Sequence, residues 1–198
     1  MRELREGLWH WEARHPDWEP SAGGPDGWGP DVSCYAIDDG ERLLLFDPLA
    51  LPAELEELAG AREPVIVVTN AWHERDARDL AERLGAQLFV PPSDGPGRLE
   101  GQRYAAGDRL PGGVEARSGS EPPFDHMLWV EGRRAIVIGD SLIDNGTGLT
   151  LFERWIPKGQ TREEVLERLR PLLELPVEIV LPTHGAPTDR AALERALT

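Results

Sequence analysis

Three residues in this chain stand where chemistry is possible: His73, Asp140 and His184. Each closes or follows a short apolar run, in PVIVVTNAWH, AIVIGD and VEIVLPTHG, and a fourth run, LLLFD, ends at Asp47. Imidazoles and carboxylates bind divalent metals and move protons near neutral pH. Gly185 after His184 permits a tight turn and close approach of a ligand to the backbone. Taken alone, His184 reads equally as a histidine hydrogen-bonded at a strand end. An ionised carboxylate at Asp140 is costly to desolvate unless a cation or donors meet it. Its plain alternative is an aspartate capping the turn DSLIDNGTG. His73 sits where a strand hands over to a helix, and a capping or surface role is open to it as well.

The apolar runs are β-branched and apolar on both faces, which is how buried strands read. Strand ends open onto clefts, so several strands that deliver polar groups to one edge build a site there. VSCYAIDDGERLLLFD reads as a hairpin around DDGE, and MLWVEGRRAIVIGD as another turned at Glu131-Gly132. QLFVPP is a further strand, with short strands expected around RYAAGDRL and GVEARSG in the glycine-rich stretch from Ser93 to Glu115. Helices are expected over LPAELEELAG, HERDARDLAERLG, TREEVLERLRPLLEL and DRAALERAL. Thr161 and Glu164 form a capping-box signature for the third. Strands with helices between and after them imply an α/β sandwich with helices on the outer faces. Residues 1–30 are expected to be a tryptophan-rich arm (Trp9, Trp11, Trp18, Trp28) packed on a single domain of residues 31–198. His10 and His15 would matter if that arm is a lid over a pocket; it serves equally as edge protection or as a homodimer contact.

At 198 residues the chain is long enough to bury a substantial core. A formal charge of −15 argues against nucleic acid and anionic membranes as partners. A small-molecule ligand or substrate fits better. The single cysteine, Cys34, excludes an internal disulfide and reads as a buried structural thiol. With no apolar stretch of membrane-spanning length and no signal-peptide core at the start, a cytoplasmic location is expected. No glycine-rich loop with G-x-G-x-x-G spacing opens a helix after an early strand, which disfavours a Rossmann-like nucleotide binder.

The order of these elements and motifs resembles the metallo-β-lactamase family over roughly residues 31–197. IVIGD matches the family's G-D, whose aspartate bridges two metals, and PTHG matches its last histidine turn. The resemblance implies a four-layer αββα sandwich, a metal-dependent hydrolase ancestry, and Asp140 and His184 as metal ligands. The family's H-x-H-x-D-H string is where the chain departs, reading Asn70-Ala71-Trp72-His73-Glu74-Arg75-Asp76 after Thr69. Counting back from Gly85 places His73 at the last histidine and Trp72 at the aspartate. A second alignment makes Asp76 the motif aspartate; the first keeps the helix length and the position of Thr69. The family's mid-chain histidine falls near Glu121, while His126 lies on a strand pattern where it points outward.

The implied ligand set is His73, Asp140 and His184, with Glu121 or Asp76. That suits one zinc, iron or manganese with a bound water, rather than two ions. Trp72 has the bulk to fill the first metal pocket outright, in which case the protein binds no metal. Two functions follow. One is a hydrolase of an ester, thioester or phosphoester of a small metabolite, with Asp140 and His184 on the ion and His73 as third ligand or base. The other is a catalytically inactive ligand-binding or regulatory domain on the same scaffold.

Overall fold

The computed structural model describes residues 1–24, 27–93 and 99–198. Part of the glycine-rich stretch expected after Ser93, residues 94–98, lies outside the described residues. The first sheet runs β1 (Arg2–Arg5), β2 (Leu8–Arg14), β3 (Asp31–Asp38), β4 (Arg42–Phe46), β5 (Glu63–Val67), β6 (Gln87–Val90) and β7 (Gln102–Arg103), in that spatial order. Strands β1 to β4 pair antiparallel, and β4 to β7 parallel. Parallel neighbours need crossovers, which helices α1 (Ala53–Ala59) and α2 (Ala77–Leu84) supply for β4–β5 and β5–β6.

The chain continues through β8 (Arg109–Leu110), β9 (Val114–Ser118), β10 (His126–Val130) and β11 (Ala135–Ile138). A separate small hairpin, β12 (Leu142–Asp144) and β13 (Leu149–Leu151), precedes helix α3 (Arg162–Leu169). Then come β14 (Ile179–Pro182), β15 (Thr188–Asp189) and helix α4 (Arg190–Leu197). The second sheet has the order β15-β14-β11-β10-β9-β8. Its β11–β14 pair is parallel.

The layers follow from the two-residue period of strand side chains. Leu44, Phe46, Val65 and Val67 meet Leu128, Val130 and Val137 between the sheets. Their neighbours Leu43, Leu45 and Ile66 face the other way, onto Leu55, Ala77 and Leu80 of α1 and α2. Met127, Trp129, Ile136 and Ile138 pack on α3 and α4 through Val165, Leu166, Leu169 and Leu193. The result is the expected αββα sandwich. The capping box of α3 is formed, with Thr161 and Glu164 satisfying each other's backbone N–H groups. No helix among the described residues is long and apolar enough to cross a membrane.

Three expectations are corrected here. Residues 2–14 are not an arm laid over the domain but the first two strands of its sheet, with β2 in register along β3. Their alternation was masked because Trp9, His10 and Trp11 are bulky on both faces. Helix α2 begins at Ala77 rather than at His73, since Arg75 has φ +43° and breaks the helical path. His126 does not point outward: it shares the inter-sheet face of Leu128 and Val130, buried against Tyr104 with ring centroids 4.9 Å apart.

Candidate metal centre

β4 and β5 are parallel neighbours in one sheet, and β11 and β14 in the other, so the residues after each pair emerge at one edge. The sheets are stitched there by His126 N–H donating to Thr69 C=O and Ser33 N–H donating to Thr183 C=O, both 2.9 Å. Asp47 follows β4, Thr69 to His73 follow β5, Asp140 follows β11 and His184 follows β14.

His73 lies between two carboxylates, with Nδ1 2.9 Å from Asp47 Oδ2 and Nε2 3.0 Å from Asp140 Oδ1. His184 Nε2 is 3.3 Å from the same Asp140 oxygen. The other oxygen, Oδ2, accepts from the Asn70 amide at 2.9 Å. Asp47, fully buried, also accepts from the Thr69 backbone N–H at 2.7 Å and from its hydroxyl. Beneath Asp140, the buried Asp125 carboxylate takes the Ser141 hydroxyl, the Ser120 N–H and the Asn70 amide.

These contacts set the charges. Burial alone would lower the pKa of His73, but Asp140 and Asp47 override it and lift the value to about 9. Burial likewise opposes ionisation of Asp140, yet His73 and His184 hold its carboxyl well below the usual range. Burial is what lowers His184. Asp125 goes the other way, pushed up to about 6 by burial and by the neighbouring Asp140.

The donor atoms of His73, Asp140 and His184 all lie within 4.8 Å of one another. A tetrahedral zinc with bonds of about 2.1 Å holds its ligand atoms roughly 3.4 Å apart. The separations of 3.0 and 3.3 Å about Asp140 Oδ1 are near that value. Asp47 on Nδ1 of His73 is the carboxylate partner that leaves Nε2 free to ligate. His184 Nδ1 is buried without a hydrogen-bond partner. The residues therefore fit one ion. Among the described residues this is the one such cluster of three.

Of the other expected ligands, Glu121 lines the cavity above the cluster, its pKa raised by burial and by Asp140. Asp76 is excluded from the site. The non-helical turn at Arg75 aims its carboxylate at the loop before α1, where it accepts from Ala50 N–H at 2.7 Å. Trp72 does not fill a metal pocket either. It is 60% exposed at the cavity mouth, edge-on to Phe124. Sequence reasoning passed over Asp125, Arg75 and Trp155. Asp125 carried a usable signal, a carboxylate directly before an apolar strand; the other two carried none.

The cavity measures about 380 Å³. Trp28, Trp72 and Trp155 line it together with His15, Arg75, His73, Asp140 and His184. Trp28 and Trp155 both meet His184 edge-on, with centroids at 5.0 and 5.6 Å. The segment after β2 thus does reach the pocket, through His15 and Trp28, while His10 is buried against Ser33 instead.

This architecture is the metallo-β-lactamase fold. The chain superposes on TMB-1 with a TM-score of 0.70 at 12% identity, covering 99% of this chain and 94% of that one, and on the metallo-beta-lactamase DIM-1 with 0.67 at 13% over 98% and 93%. FIM-1 from Pseudomonas aeruginosa, in its mono-zinc form, gives 0.69 at 10% identity over 98% and 91%. A metallo-beta-lactamase family protein from Thermus thermophilus gives 0.67 at 15% identity over 98% and 78%. No protein-family model and no curated protein sequence matches the chain.

Proposed function

We propose that the protein is a hydrolase with a single metal ion held by His73, Asp140 and His184, acting on an ester, thioester or phosphoester of a small metabolite. The observation that carries this reading is the convergence of those three donors beneath a tryptophan-lined cavity. A bound zinc would polarise the scissile group and bring the pKa of its water toward ~7. The chain's own residues do the rest. Asp47 holds the Nδ1 proton of His73 and so fixes the ring. Asn70 pins one Asp140 oxygen and leaves the other facing the two imidazoles. Glu121 borders the same cavity, and with its pKa raised by burial and by Asp140 it would serve there as a proton acceptor.

Elemental mass spectrometry on unchelated protein tests the reading, with expected content near one zinc, iron or manganese per chain and its loss in His184→Ala. An ester, thioester and phosphoester screen then compares the two proteins. Absence of stoichiometric metal from the parent protein would sink this function. A second reading, a metal-free binding domain, is favoured by one observation: both oxygens of Asp140 already have partners in His73, His184 and Asn70. Its expected result is no metal in either protein.

A further inference from the structure

Three of the chain's seven tryptophans, Trp28, Trp72 and Trp155, border one cavity. Among the described residues no two of them stack on each other; their ring partners are His15, His184, Phe124 and Phe152. The indoles therefore surround space rather than fill it, and a ligand can reach them. Trp72 is 60% exposed, and Trp28 and Trp155 are partly exposed along the wall.

Most charged groups of that wall are already paired. His73 lies between Asp47 and Asp140, and Asp125 accepts from Ser141, Ser120 and Asn70. Arg75 donates through Nη1 to the Asp47 and Ser33 carbonyls, and its Nε and Nη2 are buried. Glu121 is the exception. It is partly exposed on the cavity and lies outside the cluster that could hold a metal. Burial and Asp140 raise its pKa, and no donor or cation among the described residues offsets them. A carboxylate so placed attracts a cation, and the chain's charge of −15 draws cations toward it from further away.

We propose that Trp28, Trp72 and Trp155, with the carboxylate of Glu121 beside them, hold a quaternary ammonium group of the substrate. This rests on reading the cavity as the substrate site, and narrows the small metabolite to one that bears such a group. The electron-rich face of an indole attracts a cation within about 6 Å of its centroid, more strongly than any other side-chain ring. A primary ammonium would need acceptors for its N–H groups, and the wall offers the one unpaired carboxylate. A quaternary nitrogen has no N–H and presents methyl groups to the indoles. It leaves the Glu121 oxygens free to accept a proton from water. A phosphate or carboxylate in its place would meet Glu121 rather than a donor.

Choline and neohexyl alcohol, in which carbon replaces the nitrogen, are the probes, with binding followed by tryptophan fluorescence and calorimetry. The two share a shape and differ in charge. Wild type should bind choline roughly 10-fold more tightly, the worth of a partly desolvated cation over indoles. Trp72→Leu keeps an apolar wall but loses a ring face, and should reduce that preference. Glu121→Gln should weaken choline binding and leave neohexyl alcohol unchanged. Both positions are at least partly exposed, so neither change empties the core. Equal binding of the two probes by wild type would overturn the proposal, as would an undiminished preference for choline in either variant. His184→Ala separates this inference from the metal reading: it should lose metal yet keep the preference. A wild-type protein that holds metal, cleaves neohexyl acetate as fast as acetylcholine and binds both alcohols equally would leave the hydrolase standing and the cage refuted.

Discussion

Asp47 touches no solvent, yet the arrangement of the centre depends on it. It satisfies Thr69 twice and holds one side of His73 while Asp140 holds the other. Asp47→Asn preserves shape but removes the charge that orients and strengthens the imidazole. Metal affinity should fall roughly 10–100-fold, as for other carboxylate partners of ligating histidines; titration against a competing chelator measures it, and unchanged affinity would free Asp47 of the role. His126 offers a separate test. Burial lowers its pKa to about 4, with only a weak opposing pull from Asp108. Above about pH 6.5 the ring is neutral in both folded and unfolded chains. As pH falls toward 4, the unfolded chain takes up the proton first, so the folded state loses stability across that window. His126→Leu cannot titrate, so its stability relative to wild type should be flat above pH 6.5. The difference should then rise in its favour by up to about 1.4 kcal/mol per pH unit on acidification. Urea unfolding at pH 7, 6 and 5 reads this directly, and a pH-independent difference would contradict it. Residues of this kind were legible in the sequence only where a polar group ended an apolar run. Asp140, His184 and His73 announced themselves that way. Arg75 did not, because nothing in HERDARDL distinguishes it from a helical surface arginine until its backbone is seen to leave the helix.

Among the elements, the strands and helices that form the four layers were legible because their apolar periods are long and their partners numerous. The small pieces were not. Hairpin β12–β13 reads in sequence as a polar turn, DSLIDNGTG, since Asp144 and the glycines dominate it and only packing against α4 and β14 reveals the pairing. That hairpin nonetheless shapes the centre. Asp144 N–H donates to His184 C=O at 2.9 Å, and Gly185 passes so close that an added Cβ would lie 2.6 Å from Asp144 C=O. The φ of Gly185 is +110°, outside what a side chain tolerates. Gly185→Ala should therefore destabilise the protein by roughly 1–3 kcal/mol and displace His184 from Asp140. Thermal unfolding checks the first part and metal content the second. A variant with parental stability and full metal would show that the turn is more pliable than this geometry implies.

At the scale of the molecule, the N-terminal hairpin links the edge of the first sheet to the candidate metal centre. Its strand β2 covers the edge of β3, burying Leu8 and Trp11, and the Trp11 indole donates to Leu49 C=O at 2.8 Å. His10 meets Ser33 Oγ at 2.8 Å, and that hydroxyl donates to Gly185 C=O at 2.7 Å, next to His184. The hairpin thus seals an edge that would otherwise offer unpaired N–H and C=O groups to other chains. It also reaches across the fold to the turn that carries His184. β1 is a lesser matter, being mostly exposed. Removing residues 1–5 should leave a folded, soluble protein with its metal, since β2 then simply becomes the edge. Removing residues 1–14 should strip β3, forfeit about 1.5–3 kcal/mol for each of the two large buried side chains, and yield protein that aggregates or melts far below the parent. Melting curves and light scattering on the two truncations decide the matter. If the longer truncation unfolds like the full chain, β2 is dispensable and the centre is organised without it.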